Sequence, residues 1–98
     1  MKTFYVYMLT NRSRVVLYIG VTSSLERRLW FHGNTECDTF VKRYNLDRLV
    51  YFESYHRPGD AIAREKQLKR WRREKKNALV ERVNPKWRDL GPELFDPA

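Results

Sequence analysis

The sequence predicts a small α+β domain in which a three-stranded antiparallel sheet is flanked by helices. Three short segments are rich in β-branched and aromatic residues, which is typical of strands, and the charged stretch from residue 61 to residue 83 has helical periodicity. A chain of 98 residues can bury one modest core. We therefore expect a single domain over residues 1–90 and an irregular tail over residues 91–98.

The first two strands are predicted to form a β-hairpin. The segments TFYVYML and VVLYIG are joined by the polar loop TNRSR. Strand alternation places Tyr7 on one face of the first strand and its neighbours Val6 and Met8 on the other. Tyr7 and Tyr18 could therefore meet near one end of the hairpin, but the strand register is not derivable from the sequence; Gly20 permits a tight exit or a close backbone approach.

A helix is predicted to follow the hairpin, from about Ser24 to about His32. Ser23 and Glu26 have the spacing of a capping box at its start. Arg28 and His32 are four residues apart and so lie one turn from each other, beside an apolar stripe. Both polar side chains are therefore expected to border the core.

The second half of the chain predicts one strand and two helices. The strand is LDRLVYFESYH, residues 46–56, and the turn RPGD follows it. A helix is predicted from Ala61 to about Trp71, and the segment EKKNALVERV predicts another helix, or a continuation of the first, that stops before Asn84 and Pro85.

The charge is strongly basic and unevenly distributed. The chain has 20 Lys and Arg against 12 Asp and Glu, a net charge of +8. Residues 64–76 alone hold eight basic and two acidic residues. Such a segment indicates a phosphate-binding face for nucleic acid, although a solvated helix surface would have the same composition.

Several functional classes are disfavoured by what the sequence lacks. One cysteine, Cys37, permits no internal disulfide and no zinc-finger spacing. The N-terminus has no signal-peptide pattern, and no run of 18 uncharged apolar residues occurs. We expect a cytoplasmic protein that does not associate with membranes.

Glu65 is placed unusually for an acidic residue. On a helix it shares the inward side of Ala61 and Leu68, where a carboxylate needs a partner. That partner could be an arginine, a tyrosine hydroxyl or a divalent cation. Tyr7 and Tyr18 also suit core positions, Arg28 a structural ion pair, and His32 a hydrogen-bonded edge position.

Taken in order, these residues resemble the GIY-YIG nuclease superfamily, and in particular its small stand-alone members. The resemblance rests on YVY at residues 5–7, YIG at residues 18–20, an arginine eight residues after that glycine, a histidine four residues later, and a glutamate on a downstream helix. It extends from about Thr3 to Leu90.

This resemblance implies a metal-dependent endonuclease that hydrolyses DNA phosphodiester bonds. Tyr7 and Tyr18 would be the motif tyrosines, one of them orienting or deprotonating the attacking water. Arg28 would hold the scissile phosphate, and His32 would support proton transfer. Glu65 would bind a single Mg²⁺ or Mn²⁺. A guanidinium fork and a metal ion are well suited to phosphoryl oxygens.

With no separate DNA-binding domain in the sequence, the basic residues themselves are expected to contact DNA. The set is Lys42, Arg43, Lys66, Lys69, Arg70, Arg72, Arg73, Lys75 and Lys76. Backbone contacts of this kind imply low sequence specificity, with branched or damaged DNA as candidate substrates and DNA repair or processing as the setting. A monomer or weak dimer is expected. The alternatives are a non-catalytic nucleic-acid-binding module on the same fold and a small protein-interaction domain.

Overall fold

The computed structural model describes residues 2–28 and 44–95. Within them, strands β1 (Phe4–Thr10), β2 (Leu17–Thr22) and β3 (Arg48–Tyr55) form one antiparallel sheet in the order β2-β1-β3. The predicted α+β class with a three-stranded antiparallel sheet is confirmed. Of the predicted site residues, His32, Lys42 and Arg43 lie outside the described residues.

Helices follow the hairpin and the third strand. Helix α1 is described over residues 25–28, and α2 (Pro58–Arg70) and α3 (Arg73–Val83) come after β3. Helix α2 begins three residues earlier than predicted, because the fixed φ of Pro58 suits the first turn of a helix. No helix in this part of the chain is long and apolar enough to cross a bilayer.

The prediction of an irregular tail is wrong for residues 91–95, which form the short helix α4 (Gly91–Phe95). The Asp89 carboxylate accepts hydrogen bonds from the backbone N–H of Gly91 at 3.0 Å and of Leu49 at 3.1 Å. The bond from Gly91 satisfies the first N–H of the helix, and the bond from Leu49 connects the residues before the helix to β3, a contact between distant residues that the local sequence does not reveal.

The predicted cap of α1 is also corrected by one residue. The backbone N–H of Arg27 donates to Ser24 Oγ at 3.2 Å, so Ser24 is the N-cap and not Ser23. Thr22 holds the capping residue in place, because its hydroxyl accepts from Ser24 N at 3.2 Å. The chain therefore enters α1 directly from the end of β2.

Both faces of the sheet are covered. Val6 and Met8 pack on the face that carries α2 and α3, and Tyr7 and Leu9 pack on the opposite face with Leu25 of α1. Predicted alternation along β1 is therefore confirmed.

A polar network on the α2 face holds that helix to β3. Arg64 donates to Glu53 through Nε at 2.9 Å and Nη2 at 3.0 Å, and the hydroxyls of Tyr51 and Tyr55 donate to the same carboxylate. Burial by itself would raise the pKa of Glu53, but the hydrogen bonds from Arg64 and the two tyrosines outweigh it and hold that pKa below its ordinary value.

Glu53→Gln is expected to lower the free energy of unfolding at pH 7 by about 2 kcal/mol. This loss is smaller than that expected for a fully buried ion pair, because the Glu53 and Arg64 side chains are 17% and 22% exposed. Since folding lowers the Glu53 pKa, its stabilisation is present above the ordinary carboxyl pKa and is lost as the pH falls through the folded value. Urea unfolding from pH 7 to pH 3 checks this. An equal pH dependence in wild type and variant would contradict it.

Candidate active site

Three of the predicted catalytic side chains meet on the α1 face of the sheet. Tyr7 and Tyr18 lie on adjacent strands with their ring centroids 6.2 Å apart. From the first turn of α1, Arg28 donates through Nε to Tyr7 Oη at 2.9 Å and through Nη2 to Tyr18 Oη at 3.5 Å. The planar guanidinium thus joins both strands of the hairpin to α1.

Strand register explains the glycine of the second motif. Gly20 lies directly opposite Tyr7 in the β1–β2 ladder. A Cβ at this position would lie 2.5 Å from Tyr7 Oη and 2.7 Å from Tyr7 Cζ. The missing side chain leaves the space into which the Tyr7 phenol packs, so Gly20 is required here for close approach.

Gly20→Ala is expected to destabilise the protein by about 1–3 kcal/mol, because the Tyr7 ring is only 1% exposed and cannot move away from a new methyl group. Gly59→Ala is the matched control, since a Cβ there has no atom within 4 Å in the described structure. Urea unfolding of both variants checks this. Equal stability of the two would contradict the role given to the Gly20 space.

The environment of the cluster keeps Tyr7 neutral and Arg28 charged. Burial is the main cause that raises the pKa of Tyr7 to about 12, although the charge of Arg28 opposes it. Burial would lower the pKa of Arg28, but interactions with Tyr7 and then Tyr18 reverse that and raise it. At neutral pH, Tyr7 is therefore a hydrogen-bonding phenol and Arg28 a permanent cation.

Glu65 lies on α2, between the buried residues Ala61 and Leu68, and its side chain is 20% exposed. The predicted inward orientation is confirmed, whereas the suggested arginine partner is not. Glu65 forms an ion pair with Lys69, Oε1 to Nζ 3.5 Å, one turn further along the helix. The spacing of four residues was the available sequence signal for this pair.

An open groove of about 260 Å³ connects the motif region to the basic helices. It is lined by Leu17, Tyr18 and Ile19 of β2 and by Lys69 and Lys76. The ammonium of Lys76 donates to the Lys69 carbonyl oxygen at 3.5 Å. Tyr18 therefore borders both the Arg28 cluster and a groove with two lysines, and Lys69 in turn pairs with Glu65.

The other basic residues of the helical segment differ in solvent exposure and in whether an acidic side chain pairs with them. Lys66, Arg70, Arg72 and Lys75 are exposed, with the Lys75 ammonium 4.1 Å from the Trp71 ring centroid. Arg64, also counted in the basic segment, is neutralised by Glu53.

Arg73 has a structural position. Its guanidinium donates to the carbonyl oxygens of Val15 at 2.9 Å and Arg14 at 2.6 Å, and to Asn77 Oδ1 at 2.8 Å. These bonds tie α3 to the hairpin loop. Its charge adds to the basic surface, but its donors are engaged within the protein.

The predicted metal ligand, Glu65, has no cluster of further acidic or histidine side chains around it in the described part of the chain. Within residues 2–28 and 44–95, no group of three or more His, Cys, Asp or Glu side chains could enclose a metal ion. Glu65 suits Mg²⁺ or Mn²⁺ as one oxygen ligand, because these ions commonly keep several waters and bind substrate phosphate. Because the Glu65 side chain is 20% exposed, water molecules could supply other ligands of such an ion.

Comparisons with known proteins identify the family of the chain. Residues 3–77 match the GIY-YIG catalytic domain. A UPF0213 protein of Haloquadratum walsbyi is 35% identical over 77 residues, which cover 79% of this chain and 85% of the relative. A UPF0213 protein of Clostridium perfringens is 33% identical over 76 residues, covering 78% and 81% respectively.

The fold has a counterpart among solved structures. The solution NMR structure of a UPF0213 protein from Bacillus halodurans superimposes with a TM-score of 0.57 at 23% identity, and covers 92% of this chain and 95% of that one. The family match spans both motif tyrosines, Gly20, Arg28 and Glu65. The chain belongs to the GIY-YIG catalytic domain family.

Proposed function

We propose that the protein is a divalent-metal-dependent endonuclease that cleaves DNA phosphodiester bonds with low sequence specificity, in DNA repair or processing. The observation that carries the proposal is the Arg28 guanidinium, which is held by Tyr7 and Tyr18 at the edge of the sheet. A cation fixed in this way is preorganised for a phosphate, because no side-chain reorganisation is needed when charge develops on its oxygens.

The two tyrosines have different surroundings and therefore different proposed tasks. Tyr7 is buried and has a pKa of about 12, so it positions Arg28 and does not remove a proton. Tyr18 is only partly buried and lies on the edge strand β2, and it is the tyrosine proposed to orient the attacking water. His32, on the same segment as Arg28, is proposed to support proton transfer.

Glu65 is proposed to supply the carboxylate ligand of a single Mg²⁺ or Mn²⁺. When bound, the cation would polarise a phosphoryl oxygen and stabilise negative charge in the transition state. Lys69 would leave the carboxylate and remain beside the groove, where Lys76 also lies. The lysines would then hold the DNA backbone next to Tyr18.

DNA contacts are assigned to the exposed basic residues of α2 and α3, together with Lys42 and Arg43 and with Arg73 contributing charge. Contacts from these cations to phosphates would position the DNA backbone without reading base edges. Binding is accordingly expected to weaken steeply with salt and to vary little with sequence.

Incubation of purified protein with supercoiled plasmid and a panel of branched DNA, in Mg²⁺, Mn²⁺ or EDTA, tests the function. Nicking that requires metal is expected. DNA binding is measured in parallel at two ionic strengths. Salt-dependent binding without cleavage of any substrate would instead favour the non-catalytic module, and absence of binding would favour the protein-interaction domain.

Lys69→Gln is expected to tighten Mn²⁺ binding about 2- to 5-fold, because the ammonium competes with the metal for Glu65 and a partly exposed pair of this kind is worth up to about 1 kcal/mol. Electron paramagnetic resonance titration of free Mn²⁺ measures this without cleavage. Lys66→Gln removes the same charge next to Glu65 and is the control. Equal affinities of the two variants would refute competition by Lys69.

A further inference from the structure

We propose that a pocket beside the Tyr7–Tyr18–Arg28 cluster holds an unpaired nucleobase of the DNA substrate, an inference that rests on the proposed function. The pocket has a volume of about 310 Å³. Its walls come from β1, β3, the start of α1 and α4, and include Tyr5, Phe52, Leu25, Glu26 and Leu94.

The pocket adjoins the proposed phosphate position. Phe52 is the partner of Tyr7 in the β1–β3 ladder, opposite the side on which Gly20 pairs with Tyr7. Tyr5 lies two residues before Tyr7 and therefore on the same face of β1. A nucleotide whose phosphate contacts Arg28 would have its base within reach of these rings, since base and phosphate are joined through one sugar.

The lining favours a base over a phosphate. The rings of Tyr5 and Phe52 are half-buried and meet edge to face, with centroids 6.3 Å apart and an interplanar angle of 68°. Aromatic faces of this kind are stacking surfaces for nucleobases. Glu26 adds an exposed carboxylate, which repels phosphate but accepts hydrogen bonds from the exocyclic amino group of a base.

This occupant defines a substrate class. A base inside a duplex must be unstacked before it can enter a pocket, and the free-energy cost is least where it is already unpaired. The protein should therefore prefer DNA with a single-stranded flap or gap over intact duplex. Such a preference would come from the pocket and not from the basic helices, whose phosphate contacts are available in either case.

Fluorescence anisotropy with labelled flap DNA and intact duplex, in EDTA so that no cleavage occurs, tests the pocket. Tyr5→Leu and Phe52→Leu are each expected to weaken flap binding at least about 5-fold, which is the smallest effect expected when one base–aromatic stack is lost. Neither substitution is expected to change duplex binding. Tyr5→Phe retains the ring and is expected to bind as wild type. Phe4→Leu, on the opposite face of the same strand, is the matched control and is also expected to bind as wild type.

The possible failures are distinguishable. If Tyr5→Leu and Phe52→Leu bind the flap as Phe4→Leu does, while wild type binds DNA in a salt-dependent way, the nucleobase pocket is refuted and the proposed function stands. The same conclusion follows if wild type binds flap and duplex equally. If wild type binds neither DNA, the proposed function fails and the pocket with it.

Discussion

Glu65→Gln is expected to reduce metal-dependent plasmid nicking by at least about 100-fold. The amide preserves the size of the side chain but removes the charge that is proposed to bind a divalent cation, and the cation is expected to supply several kcal/mol of transition-state stabilisation. DNA binding should be unchanged or tighter, because Lys69 loses its ion-pair partner and its full charge becomes available to the groove. Single-turnover cleavage and binding in EDTA measure the two effects separately.

Glu74→Gln is the matched control for this experiment. Glu74 is exposed in the first turn of α3, so the substitution changes the net charge equally without touching the Glu65 position. Its nicking rate should remain within a few-fold of wild type. Nicking by Glu65→Gln at the rate of Glu74→Gln would remove Glu65 from the proposed metal site.

Arg28→Lys is expected to lower the cleavage rate by about 100-fold although the positive charge is retained. An ammonium cannot reproduce the two-donor fork that now spans Tyr7 and Tyr18, and loss of one oriented donor to a developing oxyanion costs roughly 100- to 1,000-fold. DNA affinity should change little, since many other cations contribute to it. Single-turnover rates at saturating protein measure the catalytic loss directly.

Arg27→Lys provides the comparison, because Arg27 is the exposed neighbour on the same helix. Thermal unfolding of both variants separates folding from catalysis. A stable Arg28→Lys protein that cuts at the Arg27→Lys rate would leave Arg28 with a purely structural role as the tie between the two tyrosines.

The fold was largely predictable from local sequence. Alternation in the three strand segments gives the two-faced sheet, since the side-chain period of a strand is fixed by its backbone. The start of α2 differed by three residues because Pro58 belongs inside its first turn. The tail was mispredicted because the residues before α4 are held against a distant strand: the N–H of Leu49 donates to Asp89, and the N–H of Leu90 donates to the Leu49 carbonyl oxygen.

The candidate site was predicted less completely. The resemblance to the GIY-YIG family selected Tyr7, Tyr18, Arg28 and Glu65, and the first three meet in the structure. His32, Lys42 and Arg43 lie outside the described residues and remain predictions.

The sequence by itself determined the basic charge, the strand faces and the order of the motif residues, because each depends on residue type and local spacing. Tertiary structure decided which of these groups lie together and which are already bonded to other groups within the protein. Strand register made Gly20 and Phe52 the partners of Tyr7 on its two neighbouring strands. Long-range contacts paired Arg64 with Glu53 and bonded Arg73 to the hairpin loop. Register and ion pairing depend on segments that are remote along the chain, and only folding brings their atoms within bonding distance.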